Sequence, residues 1–227
     1  MIEKFLNFII HLDKYLPQLA NQYGPVTYLI LFLIIFLETG VVFTPFLPGD
    51  SLLFITGTLT STGFLNIFFV LGFLSLAAIL GDTCNYWIGR TFGKNLVKKA
   101  DGKFFKKEHL IKTHLFFEKH GGKTIILARF VPIVRTFAPF VAGVSKMNYR
   151  WFLTFNVLGG ILWVFIFVSL GYFFGNLPVI KNNFHLSVGI IIFLSLIPMI
   201  IEWINHKRKP KTKEKIDFKK LEKILAQ

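Results

Sequence analysis

Apolar residues along this chain gather in five runs, and only some of them reach the length of a bilayer-crossing helix. Crossing the hydrocarbon core takes about 20 residues. Phe64 to Ile88 is long enough, with Asp82 and Asn85 near its end. Trp151 to Phe174 is long enough and carries no charge. Leu186 to Trp203 nearly reaches that length and is closed by Glu202 and a basic tail. The other two runs are short and broken. Thr27 to Leu37 meets Glu38 after 11 residues, then Pro45, Pro48, Gly49 and Asp50, before a second short apolar arm from Ser51 to Thr60. Thr124 to Val144 holds Arg129, Pro132, Arg135, Pro139 and Gly143.

A short arm, a cluster of helix breakers and another short arm predict a re-entrant helical hairpin, because irregular backbone at membrane depth is tolerated only where protein or water satisfies it. The competing reading of the first one is a single kinked span from Thr27 to Leu47 followed by a loop. Each hairpin precedes a long span. A hairpin crosses the bilayer zero times and a span once, so two such units in series have opposite orientation. That is the plan of an inverted repeat, common among secondary transporters. The span ends also look alike, with Tyr86-Trp87-Ile88-Gly89 beside Tyr172-Phe173-Phe174-Gly175. The expected fold is therefore an all-α polytopic membrane protein. It has re-entrant segments at 27–62 and 124–148, spans at 64–89 and 151–175, and a C-terminal span at 186–204. The membrane domain covers 25–205. Residues 1–24 read as an interfacial amphipathic segment without an Ala-x-Ala cleavage site, and 206–227 as a basic tail.

Composition sharpens this picture. The chain is 53% hydrophobic with mean hydropathy +0.58, unlike a soluble domain of 227 residues. Its formal charge of +14 lies outside the apolar runs: Arg90 to Lys123 holds ten Lys or Arg against three acids, and His206 to Gln227 nine against three. The positive-inside rule puts loop 90–123 and the tail in the cytoplasm. No motif supports nucleic-acid binding. One cysteine, Cys84, permits no internal disulfide. All six histidines fall outside the spans and hairpins, and no metal cluster, nucleophile elbow or phosphate loop is present. No cofactor, metal or enzymatic activity is expected.

Ionisable groups at membrane depth cost at least ~2.5–3.5 kcal/mol each, so they need a reason to be there. Glu38 and Asp50 lie in the first hairpin and Arg129 and Arg135 in the second. Hairpins entering from opposite faces meet near the midplane, where two acids would face two arginines. Arginine binds phosphate with a planar fork of donors. A carboxylate in a poorly solvated site favours its protonated form and so suits a proton carrier. The bland alternative is an ion pair that merely fixes the hairpins together. Asp82 and Asn85 read equally well as an interfacial polar cap and as part of a pathway. Gly89–Gly93 and Gly171–Gly175 fit the Gly-x-x-x-Gly pattern of close helix packing. Asp50, after Pro48-Gly49, suits a helix N-cap.

These residues resemble the DedA family of bacterial membrane proteins, also described by its VTT or SNARE-associated domain. The strings that carry the resemblance run from Glu38 through Pro48-Gly49-Asp50-Ser51, Gly81-Asp82 and Tyr86-Trp87-Ile88-Gly89-Arg90. They continue through Phe116 to Lys123, Ala128-Arg129-Phe130-Val131-Pro132, Val134-Arg135-Thr136, Pro139, Ala142-Gly143 and Met147. The resemblance implies two facing re-entrant loops in an inverted repeat, and a location in the bacterial inner membrane. It also implies the movement of lipids, phospholipids or a polyprenyl phosphate such as undecaprenyl phosphate, with a link to the proton gradient. The family's acidic and arginine positions map onto Glu38, Asp50, Arg129 and Arg135. The leading expectation is thus a flippase or scramblase in which Arg129 and Arg135 hold a lipid phosphate and Glu38 and Asp50 carry protons. Its partners are membrane lipids and protons, and a homo-oligomer is compatible with it. Two alternatives stand beside it: a proton-coupled small-ion antiporter, and an assembly factor of the cell envelope. The last predicts that exchanging the charges of Glu38 and Arg129 restores activity.

Overall fold

In a computed structural model, residues 24–40, 49–98 and 120–175, with 117 and 177, can be described. Every regular element among them is helical. Helix α1 (Val26–Gly40) and helix α2 (Gly49–Ser61) are the two arms of the first broken segment. Helix α3 (Ile67–Lys98) is the first long helix. A 3-10 turn, Gly121–Lys123, leads into the short α4 (Thr124–Ala128). Helix α5 (Pro132–Val144) follows, and α6 (Tyr149–Phe174) is the second long helix. The interfacial segment predicted at 1–24 (all but Gly24), breakers Pro45 and Pro48, most of the basic loop, the C-terminal span and the tail lie outside the described residues.

The long helices begin where a side chain satisfies their first amides. Asn66 Oδ1 accepts from Phe68 N at 2.9 Å, and Asn148 Oδ1 accepts from Arg150 N at 2.9 Å. Each therefore starts two or three residues away from the edge its apolar run suggests. The first also runs further than expected. Helix α3 continues through Arg90 to Lys98, so the basic segment opens as helix rather than loop. Gly89 and Gly93 do not stop it, because both are used for packing. At 1.5 Å per residue, α1 and α2 reach about 22 and 20 Å, short of a ~30 Å hydrocarbon core. Pro132 starts α5 at a position where its missing N–H costs nothing.

Among the described residues, only α3 (over Ile67–Gly93) and α6 are long and apolar enough to cross a bilayer, and a third of each such window is buried. A soluble core helix would bury far more. The outward residues form stripes of large apolar side chains: Phe69, Phe73, Leu76, Leu80 and Trp87 on α3, and Trp151, Leu158, Ile161, Phe165 and Phe173 on α6. Stripes of this size need an apolar neighbour.

Packing follows an exchange pattern. Helix α1 lies along α3, α2 along α6, α4 along α6 and α5 along α3. Each long helix thus holds the first arm of the pair before it and the second arm of the other pair. The close approaches repeat residue by residue. A Cβ on Gly57 would strike Val168 O and Tyr172 N, and one on Gly143 would strike Tyr86 O and Arg90 N. One on Gly171 would meet Phe54 O, and one on Gly89 would meet Phe140 O. Gly175 meets Thr58, as Gly93 meets Val144. Adding 86 to 54, 57 and 58 gives 140, 143 and 144, while adding 82 to 86, 89, 90 and 93 gives 168, 171, 172 and 175. The capping residues Asn66 and Asn148 differ by the same 82. The contacts align Gly89 with Gly171, one helical turn from the alignment suggested by the Tyr-x-x-Gly strings. Hence the Gly-x-x-x-Gly pairs do serve close packing, each against the second arm of the other pair.

Candidate functional site

The charged side chains are brought together in two clusters around one indole. Arg135, on α5, takes both acids of the first segment. Its Nη2 donates to Glu38 Oε1 and Oε2 at 2.6 Å, and its Nη1 donates to Asp50 Oδ1 at 2.9 Å. Glu38 sits near the end of α1 and Asp50 in the first turn of α2. Asp50 therefore lies inside that helix rather than capping it, and its carboxylate is spent on tertiary partners. Gly49 makes room for the pair. A Cβ there would come 2.8 Å from Arg135 Nη2 and would run into the Glu38 carboxylate.

Arg129, in the turn after α4, pairs with neither of those acids. Its Nη2 donates to Asp82 Oδ2 on α3 and to Asn156 Oδ1 on α6, each at 2.6 Å. Asn156 in turn donates from Nδ2 to Ile79 O at 3.0 Å. Asp82 is 3% exposed and Asn85 is fully buried, so the interfacial-cap reading of these two does not hold. Asn85 Nδ2 donates to Thr39 O at the end of α1 and to Thr136 O on α5, at 3.3 and 2.9 Å. Thr39 lies in the last turn of its helix, where carbonyls lack an intrahelical donor, and the bond to Thr136 ties α3 to α5 beside Arg135.

Trp163 of α6 stands between the clusters. The Arg135 guanidinium carbon lies 4.1 Å from the centre of its ring and that of Arg129 5.9 Å away. Its Nε1 donates to Asp50 Oδ1 at 2.8 Å. Trp163 and Asn156 are seven residues apart, two turns along one face of α6, so this helix serves both arginines. Neither residue stands out in the sequence. Asn156 was the legible one, a lone amide in an uncharged span, whereas Trp163 looks like any other core aromatic.

Two cations and three carboxylates give the site a formal charge of −1 if all are ionised. Not every donor is spent. Arg129 Nε and Nη1, Arg135 Nε, Thr136 Oγ1 and Asn85 Oδ1 are buried without a hydrogen-bond partner among the described residues. Buried guanidinium N–H groups left unpaired are costly, and they suit an oxyanion that the resting side chains do not supply.

Asp82→Ala should leave Arg129 buried and uncompensated, a loss of about 3 kcal/mol or more. Asp82→Leu combined with Arg129→Leu should recover most of it. Denaturation midpoints of the purified single and double variants check this, and equal loss in both would refute the pairing.

Residues 47–173, more than half of the chain, match the VTT domain model. Over 210 residues the chain is 53% identical to Protein DedA of Escherichia coli K12, covering 92% of this chain and 96% of that protein. An uncharacterized membrane protein of Mycobacterium tuberculosis is 46% identical over 173 residues, 75% of this chain and 76% of the other. Inner membrane protein YqjA of E. coli K12 is 38% identical over 152 residues, 67% and 69% of the two. No solved structure matches the chain. With a bilayer against the apolar stripes of α3 and α6, and two charge clusters joining the broken segments to each other and to the long helices, the chain is a VTT-domain membrane protein of the DedA family.

Proposed function

We propose that this protein is a transporter, not an enzyme, that moves a phosphate-headed lipid across the inner membrane with protons as the coupled ion. The observation that carries the reading is the seat of Arg135. One buried guanidinium is gripped by three carboxylate oxygens and stacked on an indole. A phosphate presents oxygens in the same fork geometry and so competes directly with Glu38 and Asp50. Displaced from their cation, those carboxylates are the groups that would carry the coupled proton. The formal charge of −1 means that proton uptake favours the admission of an anion. Arg129, with three spare N–H bonds, offers a second hold on the headgroup.

In this reading the two pairs of short arms are re-entrant hairpins in an inverted repeat. The exchange pattern of close approaches and the short reach of α1 and α2 support it. Gly49 and Arg135 correspond under the shift of 86, and a Cβ on Gly49 would lie 2.8 Å from Arg135 Nη2; a residue that close to its own counterpart lies near a pseudo-two-fold axis. Sites at the junction of inverted repeats are the rule among secondary transporters. The positive-inside rule then keeps the basic loop and tail in the cytoplasm.

The negative formal charge also favours a second reading, a proton-coupled small-cation antiporter in which the arginines are counter-charges. One experiment separates them. Purified protein in proteoliposomes is assayed for translocation of phospholipid and of polyprenyl phosphate, with and without a pH gradient, alongside a lipid-free cation flux assay. Lipid movement that responds to the gradient and is lost in Arg129→Ala is the expected result. Cation flux without lipid movement would overturn it. For an assembly role the informative exchange is Glu38→Arg with Arg135→Glu, because Arg135, and not Arg129, is the partner of Glu38. Restored function in that double variant would favour assembly.

A further inference from the structure

We propose that Trp163 is a positioning residue of the anion seat, holding Arg135 in place while the carboxylates around it give way to phosphate. This rests on the transport reading above.

Trp163, Asp50 and Arg135 close a triangle. The indole N–H donates to Asp50 Oδ1 at 2.8 Å, the same oxygen accepts from Arg135 Nη1 at 2.9 Å, and the guanidinium carbon stands 4.1 Å above the ring. Each side chain comes from a different helix: α6, α2 and α5. The ring is fully buried in the apolar cluster with Leu52, Leu53, Val164 and Val168, which fixes its plane. A guanidinium held by a ring face spends none of its N–H bonds on that contact. Glu38 and Asp50 compete with an incoming oxyanion for those donors, whereas the indole does not. When phosphate replaces the carboxylates, the ring therefore still holds Arg135. The indole N–H meanwhile keeps Asp50 within reach for the return step.

The indole also breaks the internal correspondence. Under the shift of 82 that relates α3 to α6, the counterpart of Trp163 is Gly81. There α1 approaches so closely that a Cβ would meet Thr39 Oγ1 and lie 2.9 Å from Phe36 O. Arg135 likewise corresponds to Gly49. The seat thus forms where one half carries a bulky residue and the other half carries none.

The test is a pair of double-variant cycles built on Trp163→Phe, which removes the N–H and leaves a smaller ring with a weaker hold on a cation. Translocation of fluorescent phosphatidic acid is measured in phosphatidylcholine vesicles at low and at saturating mole fraction, with melting temperatures in detergent as the second readout. Trp163→Phe should slow transport about tenfold at low lipid, the factor expected for one hydrogen bond to a charged group. The loss at saturation should be smaller. The melting loss caused by Trp163→Phe should shrink in an Asp50→Ala background and persist in Asp82→Ala, since Asp82 belongs to the other cluster. Wild-type behaviour of Trp163→Phe, or equal losses in the two backgrounds, overturns the proposal. If the wild-type protein moves no lipid, the transport reading fails by itself. The melting cycle then decides the positioning role: non-additivity with Asp50→Ala sustains it, and additivity overturns it.

Discussion

Arg135→Ala should be the most damaging single change at the site, abolishing lipid movement and costing about 3–5 kcal/mol of stability. The cost comes from what is left behind. Glu38 and Asp50 would remain at one spot, both carboxylates short of their cation, with only the Trp163 N–H still bonded to Asp50. Arg135→Lys should fall between, because an ammonium keeps the charge but cannot serve two acids as a fork while lying flat on an indole. Glu38→Gln with Asp50→Asn in the Arg135→Ala background should restore most of the stability and none of the transport. Thermal unfolding in detergent and translocation in proteoliposomes measure the two effects separately. If Arg135→Ala melts like wild type, the ion cluster carries less of the fold than its burial implies.

Gly57→Ala and Gly143→Ala should each cost about 2 kcal/mol or more, since the added methyl meets backbone rather than a yielding side chain. The two losses should also be similar. Gly57 is pressed by Val168 and Tyr172, and Gly143 by Tyr86 and Arg90, in corresponding positions. Gly72 is the control, with nothing within 4 Å of an added Cβ, so Gly72→Ala should not destabilise and should gain slightly from helix propensity. Melting temperatures of the three variants check this. A large gap between the first two would show that the corresponding contacts are not energetically equivalent.

Much of this was legible in the sequence because the bilayer makes strong demands on it. Helix length against hydrocarbon thickness separates α3 and α6 from the short arms, and the observed helix ends lie within a few residues of the breakers at Gly49, Pro132 and Gly143. Four of the five charges at the site, Glu38, Asp50, Arg129 and Arg135, were readable for the same reason: no charge sits cheaply at that depth. Their pairing was not. Whether Glu38 meets Arg129 or Arg135 depends on how α5 and the turn before it rotate against α1, and no periodicity encodes that. Asp82 was ambiguous because one helix can present a carboxylate to water or to a buried arginine with the same local pattern. Trp163 was invisible, since an indole in an apolar run reads as core until its N–H is seen on Asp50. The helical continuation to Lys98 was missed because charge was allowed to mark an end that only a cap or a breaker can set.

The corresponding close approaches have a thermodynamic consequence. If each half can adopt the conformation of the other, the two arrangements of the whole are isoenergetic as far as these shared contacts go. The bias between them then falls on the residues without an equivalent, among them Arg135 against Gly49, Trp163 against Gly81 and Asp82 against Val164. The closer those differences come to cancelling, the smaller the differential affinity with which a ligand reverses the populations.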